Sequence, residues 1–266
     1  MPFVELEGQS FYFERLGSGE KLLFIGGTGA DLRRPETRLF GPLPRHFELL
    51  TYDQRGLGQS AKPDIPYRMA DYADDAARLM EAFGWDQAHV IGVSFGGMVA
   101  QELALRHPRK VRKLILCCTA SGGAGGSSFA YHKLRPMSAD DMAALKVKIT
   151  DIRHDEVWAK EHPEKYRVLH ALAAADPFAG EPGHMEGAKR QVAARAGHDT
   201  WNRLPAISCP VLAMGGRYDG IVSREAMHNL ASRIPGARLQ FFEGGHLFML
   251  DDTRAFEAMV DFLNQP

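Results

Sequence analysis

The chain has 266 residues, 45% of them hydrophobic, a composition that suits a water-soluble globular protein and a length that suits one large domain or a core with a small insertion. Lys and Arg total 32 against 33 Asp and Glu, for a formal net charge of −1, which gives no basic footprint for nucleic acid or an anionic membrane. The three cysteines, Cys117, Cys118 and Cys209, show no C-x-x-C spacing, which argues against a disulfide framework or a zinc site and for buried small hydrophobes in a reducing compartment.

The opening MPFVELEGQSFYFERLG lacks a charged start followed by an apolar stretch, and no apolar run approaches the roughly 20 residues that span a bilayer. A cytoplasmic protein without membrane association is therefore expected. VELEG and SFYFERLG, separated by Gly8, read as an antiparallel pair at a sheet edge. The runs LLFIGG, ELLTYD, HVIGVS and KLILCCTA are apolar without alternation, as strands buried on both faces are. Between them, Met69, Tyr72, Ala76, Leu79, Met80 and Phe83 share one helical face that Gly84 closes, and a second helix runs from Gly96 to Pro108. Strands alternating with helices predict βαβ units and a parallel sheet, so the fold class is α/β.

After Ala120 the rhythm breaks. SGGAGGSS (Ser121 to Ser128) reads as a flexible linker, and only helical patterns follow as far as Asp199. Strand and helix alternate again from Pro210, through VLAMGG, a helix over Ser223 to Ile234, the strand RLQFFEG and a last helix through Phe256 and Phe262. The expected organisation is a core over 1–122, a helical cap insertion over 123–199, and the rest of the core over 200–266.

The strongest chemical signal is Gly92-Val93-Ser94-Phe95-Gly96, placed directly after a buried-type strand and directly before a helical pattern. That context suits a nucleophile elbow, a tight turn that lifts a serine off the carboxyl edge of a sheet. A serine hydroxyl needs a base to take its proton, and the expected chain order is serine, acid, histidine. Asp219 follows the strand VLAMGG and His246 follows RLQFFEG, so both loops emerge on the edge that carries Ser94. Taken singly, Asp219 is also readable as a turn carboxylate before a helix and His246 as a loop histidine between turn glycines. An oxyanion hole would be formed by the N–H of Phe95 and the N–H of Thr28 in the loop Gly26-Gly27-Thr28-Gly29. Asp53 precedes Ser94 and belongs to the structured turn DQRGLGQS, His107 ends a helix, and His198-Asp199 reads as a helix start with Asp199 as the N-cap.

The set LLFIGGTG, YDQRGLGQS, GVSFGGMVAQELALRHP, GGRYDGIV and EGGH resembles the α/β-hydrolase superfamily across nearly the whole chain. The resemblance implies an eight-stranded, mostly parallel sheet flanked by helices, with a helical cap over the nucleophile. Within the superfamily the chain is similar to the group of esterases, enol-lactonases and cofactor-free haloperoxidases, and ARAGHDTWNRLPAI resembles 3-oxoadipate enol-lactonase. One departure stands out: Gly26 occupies the place of the histidine that usually braces the oxyanion loop. Serine at the elbow argues against the dehalogenases and epoxide hydrolases of this fold, which carry aspartate there.

The expected function is hydrolysis of a small-molecule carboxylic ester or lactone through an acyl-enzyme, with Ser94, His246 and Asp219 as the triad and no metal or organic cofactor. A perhydrolase-type haloperoxidase, a carbon–carbon bond hydrolase and, more remotely, a non-catalytic receptor use or keep the same residues. Gly27, Phe129, Met137, Trp158 and Leu247 are candidates for the substrate pocket. Arg135, Arg153, Arg167, Arg190 and Arg195 are available to a substrate carboxylate, although solvated helix faces account for them more simply. A homodimer is left open.

Overall fold

The computed structural model describes residues 2–265; Met1 and Pro266, the outer limits of the expected domain division, lie outside them. Among the described residues one eight-stranded sheet forms from β1 (Phe3–Leu6), β2 (Gln9–Leu16), β3 (Glu20–Ile25), β4 (Phe47–Tyr52), β5 (Ala88–Val93), β6 (Val111–Cys117), β7 (Val211–Gly216) and β8 (Arg238–Phe242). The order is β1-β2-β4-β3-β5-β6-β7-β8, antiparallel at β1–β2 and β2–β4 and parallel elsewhere. The α/β class and the edge hairpin are as the sequence predicts.

Unbroken apolar runs form the central strands because alternate residues serve two different cores. Leu23, Val90, Leu114, Leu116 and Ala213 enter the cluster packed by α1 (Met69–Ala82), α2 (Phe95–Arg106) and, further along, α7 (Arg224–Arg233). Leu22, Phe24, Ile91, Ile115 and Leu212 enter the opposite cluster, closed by Phe248 of α8 (Phe248–Asp251) and by Phe256, Met259 and Phe262 of α9 (Arg254–Asn264). A strand covered on both faces has no side left for polar residues. The chain reverses its direction of travel across the sheet between β3 and β5, so their carboxyl ends flank the crevice where α/β sheets place ligands.

Between β6 and β7 lie α3 (Ala139–Thr150), α4 (Glu156–Glu161), α5 (Pro163–Ala174) and α6 (His184–Ala196). Ser138 and Asp155 start α3 and α4 by accepting the N–H groups of Asp141 and Trp158. Among the described residues no helix is long and apolar enough to cross a membrane.

The glycine-rich stretch before these helices corrects its reading as a flexible linker. Ser121 is buried, Gly122 bridges Asp199 in antiparallel fashion, and Thr200 N–H donates to Ser121 O at 2.8 Å. Gly122 sits at φ +71°, and a Cβ there would collide with the His198 carbonyl. Glycine is used here for close approach, and it clasps the two ends of the helical segment together. Asp199 is likewise corrected: residues 201–203 form a turn rather than a helix, and Asp199 Oδ1 accepts Trp201 N–H at 3.0 Å inside it.

His198, held in that clasp, is 6% exposed, and burial lowers its imidazole pKa to about 4. The folded state keeps the ring neutral while the unfolded chain protonates it near pH 6.5. Its contribution to stability is therefore complete above pH 6.5 and is lost as the pH falls toward 4. Between pH 7 and pH 5 the wild type should lose about 2 kcal/mol more than a His198→Gln variant, by linkage of that shift. Urea midpoints of both proteins at the two pH values check this; equal losses would contradict it.

Candidate active site

The loop from β5 to α2 is a single strained residue. Ser94 has φ 56° and ψ −114°, outside the regions that L-residues ordinarily occupy. Its neighbours make that turn sterically feasible. A Cβ on Gly92 would collide with the Gly96 carbonyl, one on Gly96 would collide with the Ile25 carbonyl of β3, and one on Gly97 would press on Thr119. The absence of those three atoms lets α2 begin immediately against the ends of β3, β5 and β6. Phe95 is fully buried and packs edge-to-face on Tyr72 of α1 at 4.9 Å, which fixes the first turn of α2. That turn also aims a helix N-terminus at the crevice, where negative charge is favoured.

Two further loops from the same sheet edge meet Ser94. After β7, Asp219 Oδ1 accepts N–H groups from Ile221 at 2.7 Å and Val222 at 2.9 Å, which orients the carboxylate. The helix beyond is capped instead by Ser223, whose side chain accepts Ala226 N–H. After β8, the His246 backbone N–H donates to the Thr150 carbonyl at the end of α3. Gly216 and Gly245 allow these loops to close, since a Cβ on Gly216 would strike the Gly245 carbonyl and one on Gly245 the Thr150 carbonyl. The result is one line of hydrogen bonds: Asp219 Oδ2 to His246 Nδ1 at 2.8 Å, and His246 Nε2 to Ser94 Oγ at 2.9 Å. All three residues are more than nine-tenths buried. With Nδ1–H donated to the carboxylate, Nε2 is left as the acceptor for the serine proton.

The loop after β3 supplies the opposite wall. Gly27 lies against Ser94, where a Cβ would stand 3.6 Å from Ser94 Cβ. Thr28 follows in a turn closed by Ala30 N–H to Gly27 O at 3.3 Å. Among the described residues, no protein acceptor takes the N–H of Thr28 or of Phe95. Gly26 fits its place because a Cβ there would come within 2.8 Å of Ala30 Cβ. In place of a histidine, two glutamines hold this loop: Gln54 Nε2 donates to the Gly26 carbonyl and Gln191 Oε1 of α6 accepts Gly29 N–H, both at 2.9 Å. Neither stood out in the sequence, where an isolated glutamine carries no local mark. Gln54 is set by the turn around Asp53, whose carboxylate accepts N–H groups of Leu32 and Gln59.

The remaining pocket candidates separate. Phe129 packs on Tyr131 and on the core, and its N–H donates to Ile221 O at 2.7 Å, beside the Asp219 loop. Leu247 follows His246 but turns into the α9-side core. Met137 is 39% exposed on the approach to α3 rather than in an apolar lining. Trp158 stacks on His162 at 5.1 Å and packs against His154, lining an outer groove with Val168 and Leu169 of α5. Complete burial pushes the Cys118 thiol well up and the Asp219 charge pushes it the same way, so it offers no thiolate. Among the described residues no group of three His, Cys, Asp or Glu side chains is arranged to hold a metal ion.

Comparison with known proteins agrees with this architecture. The family model described as alpha/beta hydrolase fold matches residues 22–253. A poly(3-hydroxyalkanoate) depolymerase of Ectopseudomonas oleovorans is 29% identical over 255 residues, spanning 92% of this chain and 84% of that protein. A protein named putative carbamate hydrolase RutD, from Variovorax paradoxus, is 29% identical over 251 residues and 92% of each chain. Among solved structures, an N-acyl homoserine lactone degrading enzyme superposes with a TM-score of 0.79 at 25% identity, over 98% of this chain and 99% of that one. The enol-lactonase of Burkholderia xenovorans superposes with a TM-score of 0.76 over 99% and 100% of the two chains, and at 22% identity it speaks for the fold alone. With the family model covering most of its length, the chain belongs to the alpha/beta hydrolase fold family and is a hydrolase.

Proposed function

We propose that this hydrolase cleaves a carboxylic ester or lactone through an acyl-enzyme on Ser94, with His246 as general base, Asp219 as its orienting partner, and the N–H groups of Thr28 and Phe95 as the oxyanion hole. The observation that carries this reading is the hydrogen-bonded line from Asp219 Oδ2 through His246 to Ser94 Oγ. In the first half-reaction Ser94 Oγ bonds to the carbonyl carbon as His246 Nε2 takes its proton. The carbonyl oxygen becomes an oxyanion facing the two free N–H groups. Collapse breaks the bond to the alkoxy oxygen, which leaves with the proton from His246. Water then repeats the sequence, returning Ser94 to its hydroxyl form and releasing the acid. Asp219 stays ionised and favours the imidazolium formed in each half.

The helices α3 to α6 serve in this reading as the cap that excludes water from the site. Gln191 contributes to it by tying α6 to the oxyanion loop. The depolymerase and lactone-degrading relatives point toward oxygen esters, and the RutD relatives toward a carbamate carbonyl, which the same attack would open.

Hydrolysis of p-nitrophenyl esters, a homoserine lactone and an aryl carbamate, by wild type and Ser94→Ala, tests the reading. Ester or lactone turnover should fall on the order of 10⁴-fold or more in the variant, the loss typical of a triad nucleophile. Undiminished activity in Ser94→Ala would overturn the nucleophile, and carbamate turnover alone would overturn the substrate class. Gln191→Ala should lower kcat about tenfold at nearly constant KM, as loss of oxyanion-loop support acts on the transition state. A change confined to KM in steady-state kinetics would assign Gln191 to substrate binding instead.

A further inference from the structure

At the clasped ends of the helical segment lies a partly open pocket of about 180 Å³. Met98 of α2 lines one wall, and its N–H bonds the Ser94 carbonyl; Phe129 lines another, bonded to Ile221 behind Asp219. The volume far exceeds that of a single structural water.

The fixed charges of its walls are of one sign. Lys133 and Arg195 line the cavity beside His132 and the neutral His198, and no Asp or Glu does. Arg195, on α6, is only 7% exposed. Its guanidinium donates to a single hydroxyl, Ser128 Oγ, from Nε at 3.2 Å and Nη2 at 2.8 Å, and lies over the Tyr131 ring at 4.9 Å. Three of the other cap arginines are spoken for: Arg153 pairs with Asp151, Arg167 with Glu164 and Arg190 with Asp64. Among the described residues no carboxylate pairs with Arg195.

His198 adds an independent sign. Both of its ring nitrogens are buried and make no hydrogen bond of proper geometry, although the Ala120 carbonyl stands close to the ring. The acids near it are engaged elsewhere, Glu102 with both terminal nitrogens of Arg203 and Asp199 with Trp201 N–H. A guanidinium carries five N–H donors in a planar fork, and burying it without an anion is unfavourable. Buried donors therefore line a space whose walls carry no carboxylate.

We propose that this cavity is a carboxylate-binding site, in which the Arg195 fork pairs with the carboxylate and a His198 ring nitrogen donates to it. The fork geometry suits a planar carboxylate better than a spherical anion. The carboxylate belongs either to the substrate, in which case the site deepens the proposed hydrolysis, or to a separate small acid; its binding does not depend on Ser94 being the nucleophile.

Calorimetric titration of butyrate, with uncharged butyramide as control, tests this in wild type, Arg195→Met, Arg195→Lys and the exposed-site control Arg135→Met. Wild type and Arg135→Met should bind butyrate saturably at one site and ignore butyramide. Arg195→Met should bind at least about tenfold more weakly, and Arg195→Lys, which keeps the charge but not the fork, should fall between. Met fills similar space without a buried charge, and a thermal melt verifies its folding. Should it misfold, the wild type alone decides, since butyrate should raise its melting temperature and butyramide should not. Absence of saturable butyrate binding to wild type, or equal binding by Arg195→Met, would overturn the site. Competitive inhibition of ester turnover by butyrate would place the carboxylate on the substrate, and noncompetitive inhibition would place it on a separate acid.

Discussion

At the elbow, strand β5 gives way to helix α2 within one residue, and the other parts of the site are arranged around that junction. Ser94 is held at a positive φ because the sheet and the helix on either side leave no other path. The helix can start so close only because Gly92, Gly96 and Gly97 carry no Cβ. The resulting position, at the point where strand order reverses between β3 and β5, puts the serine within reach of three other loops. Backbone strain of this kind costs on the order of 1–3 kcal/mol and persists where the surroundings over-determine it. Here the two hydrophobic clusters above and below the sheet supply that constraint.

The hydrogen-bonded line below the elbow is buried along its whole length. Asp219 meets two backbone N–H groups on one oxygen and His246 on the other, so its charge is satisfied without a cation. The imidazole is thereby fixed in orientation, which is what the proposed reaction needs so that little reorganisation remains. The helical segment contributes by contact: Thr150 holds the His246 backbone and Gln191 holds the loop after β3. The same segment brings Arg195 and His198 into a cavity whose walls hold donors and no acid.

Features fixed by local pattern were legible in the sequence. The doubly buried strands appear as apolar runs, and the elbow shows in GVSFGG because steric exclusion of Cβ leaves glycine as the only choice. The order of Ser94, Asp219 and His246 follows from where successive strands end. Features fixed only by tertiary approach were not legible. Helix α4 is six residues long and buries none of them, so it has no apolar period to detect. SGGAGGSS looks identical whether its glycines give freedom or close packing, and only the partners around Asp199 distinguish the two. Arg195 reads like Arg190 five residues earlier, yet one is buried without an acid and the other pairs with Asp64. Gln54 and Gln191 take their importance from the loop they reach, which lies far away in the chain.

The most direct test of the central claim is to identify the residue that a fluorophosphonate, an electrophile shaped like the acylation transition state, modifies. Mass spectrometry of the treated protein should show one adduct, on the peptide carrying Ser94, and His246→Ala should slow its formation by orders of magnitude, since the serine then lacks its base. An adduct on another residue, or an unmodified Ser94 in a preparation whose ester hydrolysis the reagent abolishes, would contradict the account.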